Sequence, residues 1–553
     1  MVDRVLNILD SSKIKILFLL LSLAYSFNFI FWGFDFTDSF YYLTKLSEYD
    51  KYPMVSGTLF FGFLWSEIWG NNLIYIRVLA WLLGISSLVL PYFILISRTL
   101  WLKKMHYLTL GIIITGPFFI NAYTPSIPTL FFLSLSLVFA RLYSRLQKNR
   151  YLMILGILLS FSVFLRFPNI LSLPFVILFI PLAGSFQYFY KDKKFWYFNL
   201  KKLIIFVMTY FVLFYITSLI IHGSSLDYFS KLQESISSSS AGSHSLKLMI
   251  LRILKDLNKI VIYTGVLFLF DYIFYYYKKY MQKGYKILML SMACGLFLFF
   301  MYYELLGVSY CYNLKLFYSS LVFFILLKVC FKNLENNNYK AIIQNLILLV
   351  FAFILQAGSI TGLMGLSSIL ICFMPILLVE SGFSFKKNMY LMPFVIVFIF
   401  FIAREYTYTY EDSRMFSELT TTIKTQKKLN HVKTSPNRVI FIEDVMNEYS
   451  KLTINYNTHV VFFGKVSHVF YYLTQNTPPY PMSFDMYPDD NYEIESMKNQ
   501  IKKTRPVIFF LSHYPNFPED KISASDIEKM FLQNNYRVII KTTYKIYIPI
   551  LIT

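Results

Sequence analysis

The sequence has few charged residues and fewer acids than bases. Only 15% of its 553 residues are charged, whereas soluble domains carry about 25%. Hydrophobic residues make up 56% of the chain and aromatic residues 20%, and the mean hydropathy is +0.51. These values exclude an ordinary soluble protein and predict a polytopic membrane protein.

Cysteine is also scarce. The four cysteines all lie in or beside apolar segments, with no CxxC spacing: Cys294, Cys311, Cys330 and Cys372. We interpret them as small core residues rather than a disulfide framework. The histidines are scattered without HxxxH or HExxH spacing, which argues against a dedicated zinc site.

The net charge of +21 would indicate nucleic-acid binding in a soluble protein. Here the lysines and arginines cluster in short loops between apolar runs, as the positive-inside rule describes. We therefore expect membrane lipids, and not nucleic acid, as the partners of these charges.

Apolar runs of spanning length can be placed along most of the chain. They lie near residues 14–32, 73–97, 107–121, 124–140, 152–165, 169–186, 203–221, 260–277, 287–303, 316–331, 341–355, 360–379 and 389–403. Basic residues recur in alternate loops, which predicts about 13 membrane helices with a cytoplasmic N-terminus. Residues 1–403 then form a membrane domain, and its loops 33–72 and 222–259 lie outside together with residues 404–553.

The composition becomes polar after residue 403. Short apolar runs at Val439–Ile442, His459–Phe463 and Val507–Leu511 are typical of buried strands. Tyr536–Ile540 and Tyr544–Ile548 predict a closing hairpin. Because helical patterns separate the earlier strands, residues 404–553 are predicted to form an extracytoplasmic α/β domain with a mainly parallel sheet.

An acidic pair follows the first apolar run. Asp35 and Asp38 are three residues apart in the stretch FDFTDSFYYL, at the start of the first external loop. On a helix this spacing puts both carboxylates on one face. The pair could hold a divalent cation, accept a proton from an attacking hydroxyl, or face water; no other cofactor is indicated.

The order of these features resembles the GT-C superfamily, polytopic glycosyltransferases that use polyprenyl-phosphate sugars as donors. FDFTDSFYYL opens the loop where the family places its catalytic aspartate. The segments FSVFLRFPNILSLP (161–174) and YCYNLKLFY (310–318) resemble family stretches with a basic residue between or at the head of helices. An external α/β domain also follows the last span in bacterial members related to lipid A aminoarabinose and protein mannosyl transferases.

The resemblance implies a GT-C-like fold and an inverting transfer of a sugar to a lipid, glycan or protein acceptor. Many relatives have Asp-Glu in the first loop, and Ser39 at the second position here leaves open which aspartate is the base. We favour Asp38, because Tyr41 and Tyr42 follow it at the spacing of the family; Asp35 would support it.

Other candidate site residues follow from the chemistry of such a donor. Its phosphate leaves with negative charge, so Arg166 and Lys315, at outer helix ends, are the candidates to bind it; contact with lipid headgroups is the alternative for both. Tyr41 and Tyr42 adjoin the acids and are candidates for stacking the sugar, and Glu304 is a candidate for contacts with the sugar or the acceptor. Asp271 lies within a predicted span, where an acid is a functional candidate by default; an ion pair with Lys278, two turns later, is the alternative.

Three alternative hypotheses compete with the prediction of a transferase of the bacterial inner membrane. A flippase or transporter of lipid-linked sugars would place charges through the middle of the bundle and show paired broken helices. An envelope polymerase or ligase also acts on lipid-linked glycans outside the cell. A scaffold with an inactive site is the third, and only an assay separates it from an enzyme.

Overall fold

The computed structural model describes seventeen stretches of the chain. They are residues 11–33, 36, 38–47, 57–95, 126–183, 193–222, 230, 246–280, 295, 310–353, 416–456, 459–464, 466–476, 499, 501–511, 529 and 531–550. Most of these residues are helical, and a small sheet lies near the C-terminus.

Eleven helices precede the sheet region within this part of the chain. They are α1 Ser12–Asn28, α2 Asp38–Ser47, α3 Gly57–Trp69, α4 Leu73–Leu95, α5 Ser126–Leu146, α6 Asn149–Leu165, α7 Ser172–Ala183, α8 Lys193–His222, α9 Leu246–Tyr280, α10 Tyr310–Glu335 and α11 Tyr339–Phe353.

Among the described residues, four helical stretches are long and apolar enough to cross a membrane. They are Lys13–Phe31, Leu73–Leu95, Ile127–Leu146 and Asn199–Ile220. Their outer surfaces carry large exposed apolar side chains, such as Leu20 at 58% and Phe211 at 56% exposure, which a lipid environment accommodates. The protein is therefore a membrane protein. The count of 13 spans stays a prediction, since several predicted runs, including 360–379 and 389–403, lie outside the described residues.

Helices α5, α6 and α8 pack side by side around one apolar core. Gly156 of α6 allows a close approach, because a Cβ atom there would lie 3.1 Å from the carbonyl oxygen of Phe206 in α8. Small residues at such crossings are typical of membrane helices.

The carboxylate of Asp271 in α9 contacts Lys328 Nζ of α10 at 2.5 Å. The side chain of Lys278, the partner suggested by the sequence, lies outside the described residues, so that ion pair stays a prediction.

Within the described residues, the C-terminal region contains helices α12 (Pro436–Tyr456) and α13 (Ser467–Thr474) and six strands. Strands β1 (Thr421–Thr422) and β2 (Lys433–Thr434) form an antiparallel pair. The main sheet has the order β3-β4-β6-β5, with β3 Val460–Phe463, β4 Val507–Phe510, β5 Tyr536–Ile540 and β6 Lys545–Pro549.

The expectation of a mainly parallel sheet was wrong. Among the described strands of the main sheet, β3 and β4 alone pair in parallel, whereas β6 is antiparallel to both β4 and β5. The predicted hairpin explains this, because its second strand inserts beside β4 and runs opposite to it.

Val439–Ile442 was predicted to be a strand and is helical. Ile440 is 66% exposed while its neighbours Val439 and Phe441 are buried, and Ile442 is fully buried. This burial follows a helical rather than a two-residue period. Pro436 begins the helix at the position that tolerates proline best, and a four-residue apolar run does not by itself distinguish the two structures.

Candidate functional site

The backbone that leaves the first span is fixed by a buried arginine. After α1 a 3-10 turn covers Phe29–Phe31, and Gly33 follows with a φ of 62°. Arg77 of α4 donates to the carbonyl oxygens of Ile30 at 2.8 Å and of Gly33. Its side chain is only 3% exposed. These hydrogen bonds determine where the chain begins its first loop, two residues before Asp35.

The C-terminal region contacts the same segment. The amide of Gly33 donates to the carbonyl oxygen of Lys433 at 2.7 Å, and Lys433 Nζ lies 4.3 Å from the centre of the Trp32 ring. The guanidinium of Arg438 lies 4.3 Å from the centre of the Phe36 ring. Two aromatic residues near Asp35, Trp32 and Phe36, are therefore held by cations of the C-terminal region.

Helix α2, which begins at Asp38, packs against α13. Thr44 Oγ1 donates to the carbonyl oxygen of His468 at 3.0 Å, and the rings of Tyr41 and His468 meet edge to face at 5.2 Å. Phe40 is fully buried, with its ring 5.5 Å from that of Tyr472. Burial raises the pKa of the Tyr41 phenol.

Further contacts join the C-terminal region to the loop between α3 and α4. The Tyr472 hydroxyl donates to the carbonyl oxygen of Asn71 at 2.9 Å, and Asn72 Nδ2 donates to that of Lys427 at 3.0 Å. Lys428 Nζ donates to the carbonyl oxygen of Tyr472 at 2.6 Å. One apolar cluster includes residues of α2, α3, α4, α12, α13 and the sheet. The first loop and the C-terminal region thus share a core.

Arg166 lies at the end of α6, where the backbone turns from helix to an extended conformation. It is followed by a 3-10 turn over Phe167–Leu171. Asn169 Nδ2 donates to the carbonyl oxygen of Ser162 at 2.8 Å and is fully buried, which stabilises the turn. Asn169 Oδ1 is a buried acceptor for which the described residues provide no hydrogen-bond donor.

Arg166 is close to the first loop. Burial lowers the pKa of its half-buried guanidinium, and Tyr42 of α2 lies near enough to act on this pKa in the opposite direction. At the start of α3, a Cβ atom on Gly57 would lie 3.3 Å from Cβ of Phe164. The loop helices therefore pack over the same end of α6 from which Arg166 projects.

The predicted site residues differ in how far the structure describes them. Tyr42, one helical turn after Asp38, the first residue of α2, lies within electrostatic range of Arg166. Tyr41 packs against His468 instead. Asp38 and Lys315, in the second turn of α10, are described by their backbone only. Asp35 and Glu304 lie outside the described residues, so their predicted roles stay predictions.

The sequence analysis did not identify Arg77, Asn169 and His468 as residues of the site. Arg77 is the only charged residue in the apolar run 73–97, and a lone charge within a membrane segment is a functional candidate by default. The sequence alone could therefore have identified Arg77 as a candidate. Asn169 and His468 carry no comparable signal, because their importance comes from contacts between distant parts of the chain.

No group of three or more histidine, cysteine, aspartate or glutamate residues is arranged to hold a metal ion in the described part of the chain. Asp35 lies outside that part, and Asp38 is described by its backbone alone. The divalent cation expected at this pair therefore stays a prediction.

No protein-family model matches the chain, and no curated protein is significantly similar to it. The resemblance to GT-C enzymes is therefore carried by three short motifs, by their order and by the α/β domain predicted after the last span. Two of those motifs, the ones that contain Asp38 and Arg166, lie at one end of the helical bundle.

Proposed function

We propose that the protein is an integral-membrane glycosyltransferase. It transfers a sugar from a polyprenyl-phosphate-linked donor to a lipid, glycan or protein acceptor on the outer face of a bacterial inner membrane. The observation that carries this proposal is that the helices of the first loop pack on the end of α6 that bears Arg166, with Gly57 against Phe164 and Tyr42, one turn after Asp38, within electrostatic range of Arg166. In this proposal Asp38 supplies the base for the acceptor and Arg166 the cation for the donor phosphate.

The chemistry requires both groups. In the proposed reaction the acceptor hydroxyl gives its proton to the carboxylate of Asp38 as its oxygen bonds to the anomeric carbon. The bond between that carbon and the donor phosphate oxygen breaks, and the sugar is inverted. Polyprenyl phosphate leaves with the electron pair, and Arg166 and Lys315 stabilise its charge. Asp35 supports Asp38.

The surroundings of Arg166 support a role in binding rather than in contact with bulk water alone. Its guanidinium is half-buried at the end of a membrane helix, where an amphiphilic donor can bring its phosphate while its tail remains among the helices. The C-terminal region contacts the first loop, and in this proposal it caps the cavity or selects the acceptor.

The proposal is tested with purified protein in lipid and a panel of polyprenyl-phosphate sugars. Release of polyprenyl phosphate is measured with a crude envelope extract as acceptor, for the wild type, Asp38→Asn and Asp35→Asn. Glu67→Gln is the matched control, because Glu67 is an exposed acid in the same loop. We expect Asp38→Asn to abolish release, Asp35→Asn to reduce it, and Glu67→Gln to leave it unchanged.

Arg166→Gln tests the phosphate contact separately. Loss of one donor to a developing negative charge lowers turnover by about 100-fold, so we expect a loss of that order, with Arg166→Lys partly active. Arg150→Gln, which removes an exposed arginine at the other end of α6, serves as control. Binding of these lipids by the wild type without any release of phosphate would favour a transporter instead.

A further inference from the structure

A second group of cations lies at the other end of the bundle. Arg141 and Arg145 lie in the last turns of α5, and Lys340 lies at the start of α11; we call these three residues the basic cluster. Gln344 Oε1 accepts hydrogen bonds from Arg141 Nη1 at 2.9 Å and from Ser144 Oγ at 3.0 Å. The buried amide of Gln344 thereby fixes the direction of the Arg141 guanidinium.

Arg141 lies within electrostatic range of both Arg145 and Lys340. Cations held together in a partly buried place attract an anion. A phosphate group with several oxygens fits such a set, because guanidinium forks bind phosphate oxygens in pairs.

The basic cluster is separate from the site around Arg166. Helix α6 begins at Asn149, directly after the end of α5, and its 17 residues end at Leu165. At 1.5 Å per residue it spans about 25 Å, close to the thickness of the hydrocarbon core of a bilayer. The basic cluster and Arg166 therefore lie near opposite ends of α6, about one membrane thickness apart.

We propose that the basic cluster binds the headgroup phosphate of an anionic membrane lipid. Large apolar side chains next to the cluster are exposed, Leu146 at 49% and Tyr339 at 57%, and they can cover the acyl chains of a bound lipid. A free inorganic anion has no apolar part that could contact these side chains. Basic residues between helices at the cytoplasmic side, the side predicted for this end, commonly bind such headgroups.

The experiment uses the full-length protein purified in a neutral detergent, with Tm as the readout. Short-chain phosphatidylglycerol, short-chain phosphatidylcholine and inorganic phosphate are titrated separately. We expect a saturable rise in Tm with phosphatidylglycerol and a smaller or no rise with the other two. In Arg145→Gln/Lys340→Gln the midpoint of the phosphatidylglycerol titration should move to a concentration about tenfold higher or more.

Arg150→Gln is the matched control, since Arg150 is an exposed arginine at the same end and its guanidinium contacts only the ring and hydroxyl of Tyr151 among the contacts described for it. It should titrate like the wild type. Equal midpoints in the double variant and the wild type would overturn the proposal, as would an equal rise with inorganic phosphate, which would identify a site for free anions. If the double variant does not fold, Arg145→Gln alone decides, because its side chain is exposed and the same direction of change is expected.

Discussion

Arg77 donates a hydrogen bond to the carbonyl oxygen of Gly33, two residues before the first acid of the external loop. The same guanidinium donates to the carbonyl oxygen of Ile30 at 2.8 Å. A charge buried to 97% inside a membrane helix is unfavourable unless such acceptors surround it. One residue of α4 thus determines the direction in which the chain leaves α1.

We expect Arg77→Met to destabilise the protein and to reduce transfer. Two buried carbonyl oxygens would lose their donor, at a cost of about 3 kcal/mol. The start of the loop would then shift relative to Arg166, and a misplacement of about 1 Å can lower turnover by about 100-fold. Tm in detergent and release of polyprenyl phosphate measure the two effects.

Arg77→Lys should recover part of the lost stability, since an ammonium group reaches fewer of the carbonyl oxygens than a guanidinium. Arg150→Gln, at an exposed position, should match the wild type in both measurements. Wild-type Tm and turnover in Arg77→Met would show that the loop is held by other contacts.

The shared core of the first loop and the C-terminal region leads to a second prediction. Phe40 is fully buried against Tyr472, so Phe40→Ala should lower the free energy of unfolding by about 4 kcal/mol. It should also make residues after 415 more sensitive to protease, because the cavity lies at the contact with α13. Phe331→Ala, at a residue of α10 that is 55% exposed, should change neither Tm nor the protease pattern; equal protease resistance in Phe40→Ala and Phe331→Ala would argue against the shared core.

The sequence predicted the helices of the described membrane region well, because runs of about 20 apolar residues have few other interpretations. It also predicted strands β3, β4, β5 and β6 close to their observed bounds. It did not predict that Val439–Ile442 is helical, since four consecutive apolar residues fit both periods and the exposure of Ile440 is a tertiary fact.

For the site, the sequence identified Arg166 and Tyr42, which the structure places within electrostatic range of each other. The sequence did not predict the contacts between segments that are distant along the chain. The packing of Tyr41 on His468 and the hydrogen bonds of Arg77 depend on how the first loop meets residues more than 40 positions away. No local sequence pattern predicts such long-range contacts.

Close packing between α6 and α8 leads to a third prediction. A Cβ atom on Gly156 would lie 3.1 Å from the carbonyl oxygen of Phe206 and 3.3 Å from the amide nitrogen of Tyr210. Backbone atoms cannot relieve a clash by changing rotamer as side chains do, so Gly156→Leu should force the helices apart. We expect a loss of about 3 kcal/mol or more, seen as a lower Tm. Gly265→Leu on α9 is the control, because nothing lies within 4 Å of a Cβ atom there; equal changes in Tm for the two variants would contradict the prediction.

The last prediction concerns pH and Lys428. Burial lowers the pKa of Lys428 to about 8 from its ordinary value of 10.5, while its Nζ donates to the carbonyl oxygen of Tyr472. Between these two values the folded protein holds a neutral amine and the unfolded chain still binds the proton. Stability therefore rises with pH across this window, and the gain is lost as pH falls through 8.

We expect the Tm of the wild type minus that of Lys428→Met to increase between pH 8 and about pH 10.5. Taking this difference removes the titration of the other groups, which both proteins share. Burial raises the pKa of Tyr472, so the phenol beside Lys428 stays neutral in the folded protein throughout. Lys427→Met removes an exposed neighbour and should show no such trend relative to the wild type. A difference for Lys428→Met that stays flat or falls over the same range would mean that the amine is hydrated, and that the C-terminal region contacts the loop between α3 and α4 less closely than its hydrogen bonds indicate.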